Sequence, residues 1–92
     1  MTKIYMVAIR WVTTKTDAQM MDGVMGSVGD WFRWNAMTYF VQSNRSPTDI
    51  RFAVMSRLSP SDSVLVVEAS TAGVDGWAPQ WVWDWFSSRR NM

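Results

Sequence analysis

Eight carboxylates are the side chains of this 92-residue sequence that could hold a metal ion or transfer a proton. No two of them have the i,i+2 spacing of ligands on a strand or the i,i+4 spacing of ligands on a helix. Asp17 and Asp49 stand at predicted helix starts, where an acid favours the helix dipole. We therefore interpret the set as structural and expect no metal site, no cofactor and no catalytic residue. Its members are Asp17, Asp22, Asp30, Asp49, Asp62, Glu68, Asp75 and Asp84.

Two residue types that carry much enzyme chemistry do not occur, because the sequence has no Cys and no His. This excludes disulfides, Cys/His zinc sites and triads that use either residue. A metal-free nuclease would need Lys3, Lys15 or a perturbed carboxylate as its general base. Gly23, Gly26 and Gly29 recur inside a predicted helix, so they cannot form a phosphate-binding loop, and we expect Gly23 and Gly26 to mark close packing against that helix.

The composition favours self-association. Hydrophobic residues make up 48% of the chain and charged residues 18%, and seven residues are Trp. A domain this small buries only about 60% of its unfolded surface, so this is more apolar surface than one core readily hides. A Trp-rich monomeric core is the alternative. The longest apolar run, Ile4 to Ile9, is far short of the ~20 residues of a membrane span. We expect a cytoplasmic protein that has no membrane partner.

Apolar spacing and local end signals predict the order β-α-β-β-α-β, followed by an aromatic segment. Both helices begin at capping residues, and the last strand is apolar on both faces. The predicted elements are a strand over 3–12, a helix from Thr16 to Gly29, two strands over 30–42 that turn at Asn35-Ala36, a helix from Ser46-Pro47 to Leu58, and a strand over 63–70.

The aromatic segment over 77–86 has two interpretations. Period-two spacing would put Trp81, Trp83 and Trp85 on one face of a strand, whereas Pro79 could open a helix in which Trp81 and Trp85 are one turn apart. We favour the helix. The domain then covers 1–88, and 89–92 form a frayed tail.

Right-handed crossovers turn this order into an α+β ferredoxin-like sandwich with the first and third strands at its centre. Two helices cover one sheet face, so the aromatic segment or a partner chain must cover the other. The last strand carries one charge, Glu68, and is a poorly protected edge. We therefore expect a homodimer. The interface candidates are Trp11, Val64, Val66, Trp77, Trp81 and Trp85.

Short motifs along nearly the whole chain resemble those of the small CRISPR-associated adaptation-subunit (endoribonuclease-like) superfamily. They are a first strand from the initiator Met, a helix ending in Gly, Gly29-Asp30-Trp31 and the aromatic Tyr39-Phe40-Val41. The chain is most similar to small uncharacterised proteins labelled SinR-like, which have a Gly-Trp before a Trp-rich C-terminal helix, as in Gly76-Trp77 here. The resemblance implies a ferredoxin-like fold and a symmetric homodimer. Members of the superfamily include metal-dependent nucleases, toxin-like ribonucleases and non-cleaving DNA-binding proteins.

One position departs from the nucleolytic members. They carry an Asp at the end of the first strand, where this sequence has Arg10-Trp11, and a guanidinium repels a cation. The expected function is therefore a non-catalytic dimeric binding module whose partner is nucleic acid or another protein, with a metal-dependent or toxin-like ribonuclease as the alternative. The nucleic-acid-binding candidates are Arg10, Lys15, Arg33 and Arg45.

Overall fold

The structure, a computed structural model, describes residues 2–12 and 18–89. In these residues the fold is α+β, with four strands, three α-helices and one short 3-10 turn. The strands are β1 (Lys3–Arg10), β2 (Asp30–Asn35), β3 (Thr38–Ser43) and β4 (Ser63–Ala69). The helices are α1 (Ala18–Val28), α2 (Pro47–Met55) and α3 (Gln80–Ser87), and the 3-10 turn is Thr71–Gly73.

The strands form one antiparallel sheet in the order β2-β3-β1-β4. As the sequence predicted, the first and third strands are central, and the second and fourth lie at the edges. Val7 of β1 pairs with Tyr39 of β3 on one side and with Val66 of β4 on the other. Because side chains alternate along a strand, this register assigns every residue of the sheet to one of two faces.

The larger core lies between one sheet face and the helices α1 and α2. Strands β1 and β3 contribute Tyr5, Val7, Ile9, Tyr39 and Val41, all of them buried. The helices contribute Met21, Met25 and Val28 from α1 and Ile50 and Val54 from α2. These helical residues belong to the apolar stripes that the sequence predicted, so the predicted core faces of both helices are confirmed.

The start of α2 is confirmed in detail. The hydroxyl of Ser46 accepts a hydrogen bond from the backbone N–H of Asp49, 3.1 Å away, and Pro47 occupies the first turn. An N-cap of this kind contributes about 1 kcal/mol to helix stability. The predicted cap of α1, Thr16, lies outside the described residues.

Several element ends differ from the prediction, including that of α2, which ends at Met55 and not at Leu58. Strand β1 ends at Arg10 and not at residue 12, because the N–H of Val12 leaves the sheet and donates to the carboxylate of Asp62 at 2.8 Å. The turn between β2 and β3 lies at Ala36-Met37, one residue later than expected. The side chain of Asn35 causes the shift, since its Oδ1 accepts the N–H of Met37 at 2.8 Å.

Helix α1 approaches the sheet backbone most closely at its C-terminal end, and not at the glycines along its length. A Cβ at Gly29 would overlap the Gln42 carbonyl of β3, so this position requires glycine. Gly23 has no atom within 4 Å of the position where a Cβ would lie, and the nearest atom at Gly26 is Trp31 Nε1, 3.5 Å away. The expectation that Gly23 and Gly26 mark tight packing was therefore wrong.

Candidate binding surface

The sheet face opposite α1 and α2, called the open face from here on, carries the surface features most relevant to binding. Its residues are given by the register and by the contacts of α3. They are Ile4, Met6, Ala8, Arg10, Asp30, Phe32, Trp34, Thr38, Phe40, Gln42, Ser63, Leu65, Val67 and Ala69. Most of these side chains are apolar, so the face needs cover from another element or from another molecule.

Helix α3 covers part of the open face, which confirms the helical interpretation of the aromatic segment. Val82 and Phe86 are buried in a second core with Ile4 and Phe32. The Phe86 ring lies 5.8 Å from the Phe32 ring and 5.2 Å from the Phe40 ring, edge to face in both pairs. These distances and angles are those of favourable aromatic pairs.

The end of α3 is fastened to the first residue of β2. The guanidinium of Arg89 forms an ion pair with Asp30, donates to the Trp85 carbonyl at 2.7 Å and lies 4.0 Å from the centre of the Trp85 ring system. Burial lowers the pKa of Arg89 below its ordinary value. Arg89, which the sequence analysis assigned to a frayed tail, is thus held in place; residues 90–92 lie outside the described part of the chain.

The rest of the open face is uncovered near the other edge of the sheet. Leu65 and Val67 of β4 are 67% and 47% exposed, and the register brings them beside Ala8 and Met6 of β1. Sequence analysis missed these two residues because β4 is apolar at consecutive positions. The sequence therefore did not indicate which alternate residues of β4 would face solvent.

The six predicted interface residues are divided between the two sides of the sheet. Trp77 is 99% exposed and Trp81 is 53% exposed, while Trp85 packs against Phe32 with ring centres 4.9 Å apart. Val64 and Val66 are half-buried against the helix-side core. Trp11 also packs there, and its indole N–H donates to the Ala36 carbonyl at 3.1 Å.

The basic candidates do not form one patch. Arg10 is exposed on the open face at the end of β1. Arg33 points to the helix side, where it lies 3.7 Å from the carboxylate of Asp22, and Arg45 donates to the Ser27 carbonyl near the opposite end of the sheet. Lys15 lies outside the described residues. Of the three described candidates, Arg10 alone is on the open face.

A polar cluster beneath α1 gives the carboxylate of Asp22 a structural role. The hydroxyl of Tyr39 donates to Asp22 at 2.8 Å, and the Tyr39 side chain is fully buried. Burial, followed by the hydrogen bond and the charge of Asp22, raises the pKa of Tyr39 well above its ordinary value of 10.0. Tyr39 therefore stays a neutral donor at neutral pH, and the cluster ties α1 to the sheet.

Two other carboxylates also have structural partners. Asp62 accepts the backbone N–H groups of Val12 and Ser59, joining the end of β1 to the loop before β4. Glu68 pairs with Lys3 at 3.2 Å across β4 and β1. Across residues 2–12 and 18–89, no group of three or more acidic residues is arranged to hold a metal ion.

Comparisons with protein-family models, curated proteins and solved structures find no match to this chain. The resemblance to the CRISPR-associated adaptation subunits therefore stays a prediction from the sequence. Within the described ranges, no helix has both the length and the apolar character required to cross a membrane.

Proposed function

We propose that the chain is a non-catalytic, homodimeric binding module of the CRISPR-associated adaptation-subunit-like superfamily. The observation that carries the homodimer is the pair Leu65 and Val67, large apolar side chains exposed on an edge strand. An edge strand also presents unpaired N–H and C=O groups that a second strand can bind. Apolar contact and main-chain hydrogen bonding are therefore available at the same place.

The arrangement of the sheet supports a ferredoxin-like sandwich as the scaffold of this module. Each of the helices α1 and α2 connects two strands that are separated by another strand in the order β2-β3-β1-β4. Both helices pack on the same face. We infer from this a split β-α-β arrangement, which would leave the opposite face available for an additional element or a partner.

The helix side of β4 also offers apolar surface. Helix α2 lies beside β4, and its Phe52 and Met55 are exposed. A shallow groove next to them is lined in part by Leu58 and Val64. A specific interface usually buries about 1,200–2,000 Å² in total. Apolar contacts on both sides of a paired strand would contribute to that area.

The composition of β4 fits antiparallel pairing with its own copy. Pairing centred on Val66 overlaps all of Ser63–Ala69 and places Leu65 beside the partner's Val67, so the apolar rows of two open faces become continuous. In this register the Glu68 carboxylates of the two chains do not face each other. Glu68 is in addition paired with Lys3 within its own chain.

Solution mass tests the homodimer. We expect the wild-type protein to have twice the 10.6 kDa mass of the chain in light scattering or sedimentation equilibrium. Leu65→Lys should give a monomer because it places a charge in the middle of the apolar row. Met37→Lys, an equally large change at an exposed apolar residue of the β2–β3 turn, should remain dimeric. A monomeric wild type across the concentration series, or a dimeric Leu65→Lys variant, would contradict the proposal.

We propose nucleic acid as the partner of the dimer, and this proposal is based on one observation. Arg10 is exposed at the end of the open face that also carries the half-exposed Trp34, and a cation combined with an aromatic ring suits single-stranded nucleic acid. Arg10→Ala should weaken binding of a labelled oligonucleotide and lower its salt dependence, whereas Arg57→Ala, remote from this face, should not. Salt-insensitive binding, or none, would rule this partner out.

The ribonuclease alternative requires a separate assay. Incubating RNA and DNA with the purified protein and Mg²⁺ or Mn²⁺ measures cleavage directly. Intact substrate supports the non-catalytic proposal. Cleavage that is lost on changing a single carboxylate would replace it with the enzyme.

A further inference from the structure

A groove of about 390 Å³ lies between α3, the segment that precedes it and the β2–β3 half of the open face. Its volume is within the range of small-molecule sites. Met6 and Phe40 of the sheet lie at its base, and Phe86 of α3 closes one side. The sheet residues that line the groove belong to β1, β2 and β3 and none to β4, so a β4-mediated dimer would leave it accessible.

Three Trp residues border this groove, and they differ in how firmly their side chains are held. Trp83 belongs to α3, and its N–H donates to the Ala78 carbonyl at 3.3 Å, so its polar atom is satisfied within the chain. Trp34 is 46% exposed at the end of β2. Trp77 is almost fully exposed in the segment before α3. The side chains at the mouth therefore offer mainly aromatic surface.

The charge of the groove comes from one side chain. Of the described residues that line it, Asp75 alone is ionisable, and its Oδ1 accepts the N–H of Gly76 at 2.8 Å. An anionic ligand would meet this carboxylate without a basic residue to balance it. A cation would be attracted both by the carboxylate and by the negative faces of the indole rings.

We propose that this groove binds a small organic cation of the quaternary or methylated ammonium class. The methyl groups contact the indole rings of Trp34 and Trp83, and the carboxylate of Asp75 supplies the counter-charge. Such a ligand has weakly hydrated methyl groups around a positive centre, so it loses little hydration on entering an aromatic site. This site is additional to the self-association surface and does not depend on it.

The test compares choline with 3,3-dimethylbutan-1-ol, its neutral carbon isostere, by titration calorimetry and Trp fluorescence. We expect choline to bind roughly tenfold more tightly, since the two ligands differ in charge and hardly in shape. Equal affinity for the two would show a merely apolar groove, and absence of saturable choline binding would show no site. Either result overturns the proposal.

Charge-neutralising variants test the role of the carboxylate. Asp75→Asn should weaken choline binding several-fold and leave the isostere unaffected. Asp84→Asn, an equal charge change on the exposed surface of α3 outside the groove, should bind choline as the wild type does. Equal losses in the two variants would indicate long-range electrostatics and would contradict a contact with Asp75.

The unmodified protein provides a readout that needs no variant. Choline should shift the indole N–H NMR signals of Trp34 and Trp83, which line the groove, and leave that of Trp11 unchanged. Trp11 lies against the helix-side core and bonds to Ala36. Shifts of Trp11 comparable to those of the groove residues would show non-specific association instead. The Leu65→Lys variant lacks the proposed dimer contact but keeps every residue of the groove. Its affinity for choline therefore tests the groove independently of the dimer.

Discussion

Phe86→Ala tests whether the open face is stabilised by the chain's own α3. Phe86 is 5% exposed, and its ring contacts the rings of Phe32 and Phe40. Phe→Ala in protein cores costs about 3–5 kcal/mol. We expect about 3 kcal/mol here, since α3 has one solvent-facing side and can partly close the cavity. A domain of this size has roughly 5–15 kcal/mol in total, so the loss is large.

Urea denaturation followed by Trp fluorescence and near-UV circular dichroism measures this change. Trp77→Ala is the matched control, because it also removes a large aromatic ring but from a fully exposed position. Its stability should remain within about 0.5 kcal/mol of the wild type. Val82→Ala, a smaller deletion in the same core, should cost about 1–2 kcal/mol and keeps the test informative if the Phe86 variant does not fold.

A loss below about 1 kcal/mol at Phe86 would refute the packing argument, because a buried ring cannot be removed so cheaply from a formed core. Equal losses at Phe86 and Trp77 would refute it in another way. They would mean that both rings are buried in solution, so that a partner and not α3 alone covers this surface.

The remaining predictions concern the helix side of the sheet, and urea denaturation reads out each of them. Tyr39→Phe should lose about 1 kcal/mol at neutral pH by removing the hydrogen bond to Asp22. Because the pKa of Tyr39 is raised in the fold, its stabilisation is complete below the ordinary value of 10.0 and declines above it; stability of the wild type should therefore fall above about pH 10 more steeply than that of the Phe variant. Gly29→Ala should destabilise the fold through its overlap with the neighbouring strand, whereas Gly23→Ala, with open space around it, should stabilise α1 by up to about 1 kcal/mol. Ser46→Ala should cost about 1 kcal/mol through loss of the cap, and no change would show that the cap is not formed.

The features that sequence reasoning predicted correctly are those determined by neighbouring residues. Ser46-Pro47 with Asp49 starts a helix regardless of the rest of the chain, and the stripe containing Ile50 and Val54 marks its buried face. Such signals act over three or four residues. The alternating order of strands and helices then limited the topology, so the central positions of β1 and β3 were predicted as well.

The features that sequence reasoning missed depend on residues far apart in the chain. The exposure of Leu65 is determined by the pairing of β4 with β1, because a one-residue change of register would exchange the two faces. The anchoring of Arg89 depends on Asp30, 59 positions earlier in the sequence. The groove beside Trp34 forms only when the segment containing Asp75 meets the sheet. No local pattern carries this information.

The dimensions of α3 explain why the open face is only half covered. Its eight residues extend about 12 Å, and a helix with its side chains is about 10 Å wide. Strands are spaced about 4.8 Å apart, so one helix lying along them covers roughly two of the four strands. The ion pair between Arg89 and Asp30 fixes the end of α3 at β2, and its packing on Phe32 and Phe40 keeps it over the β2–β3 half. Of β4, Ala69 still packs against this core, but Leu65 and Val67 are beyond the reach of α3, so the same contacts that stabilise α3 leave these two side chains exposed.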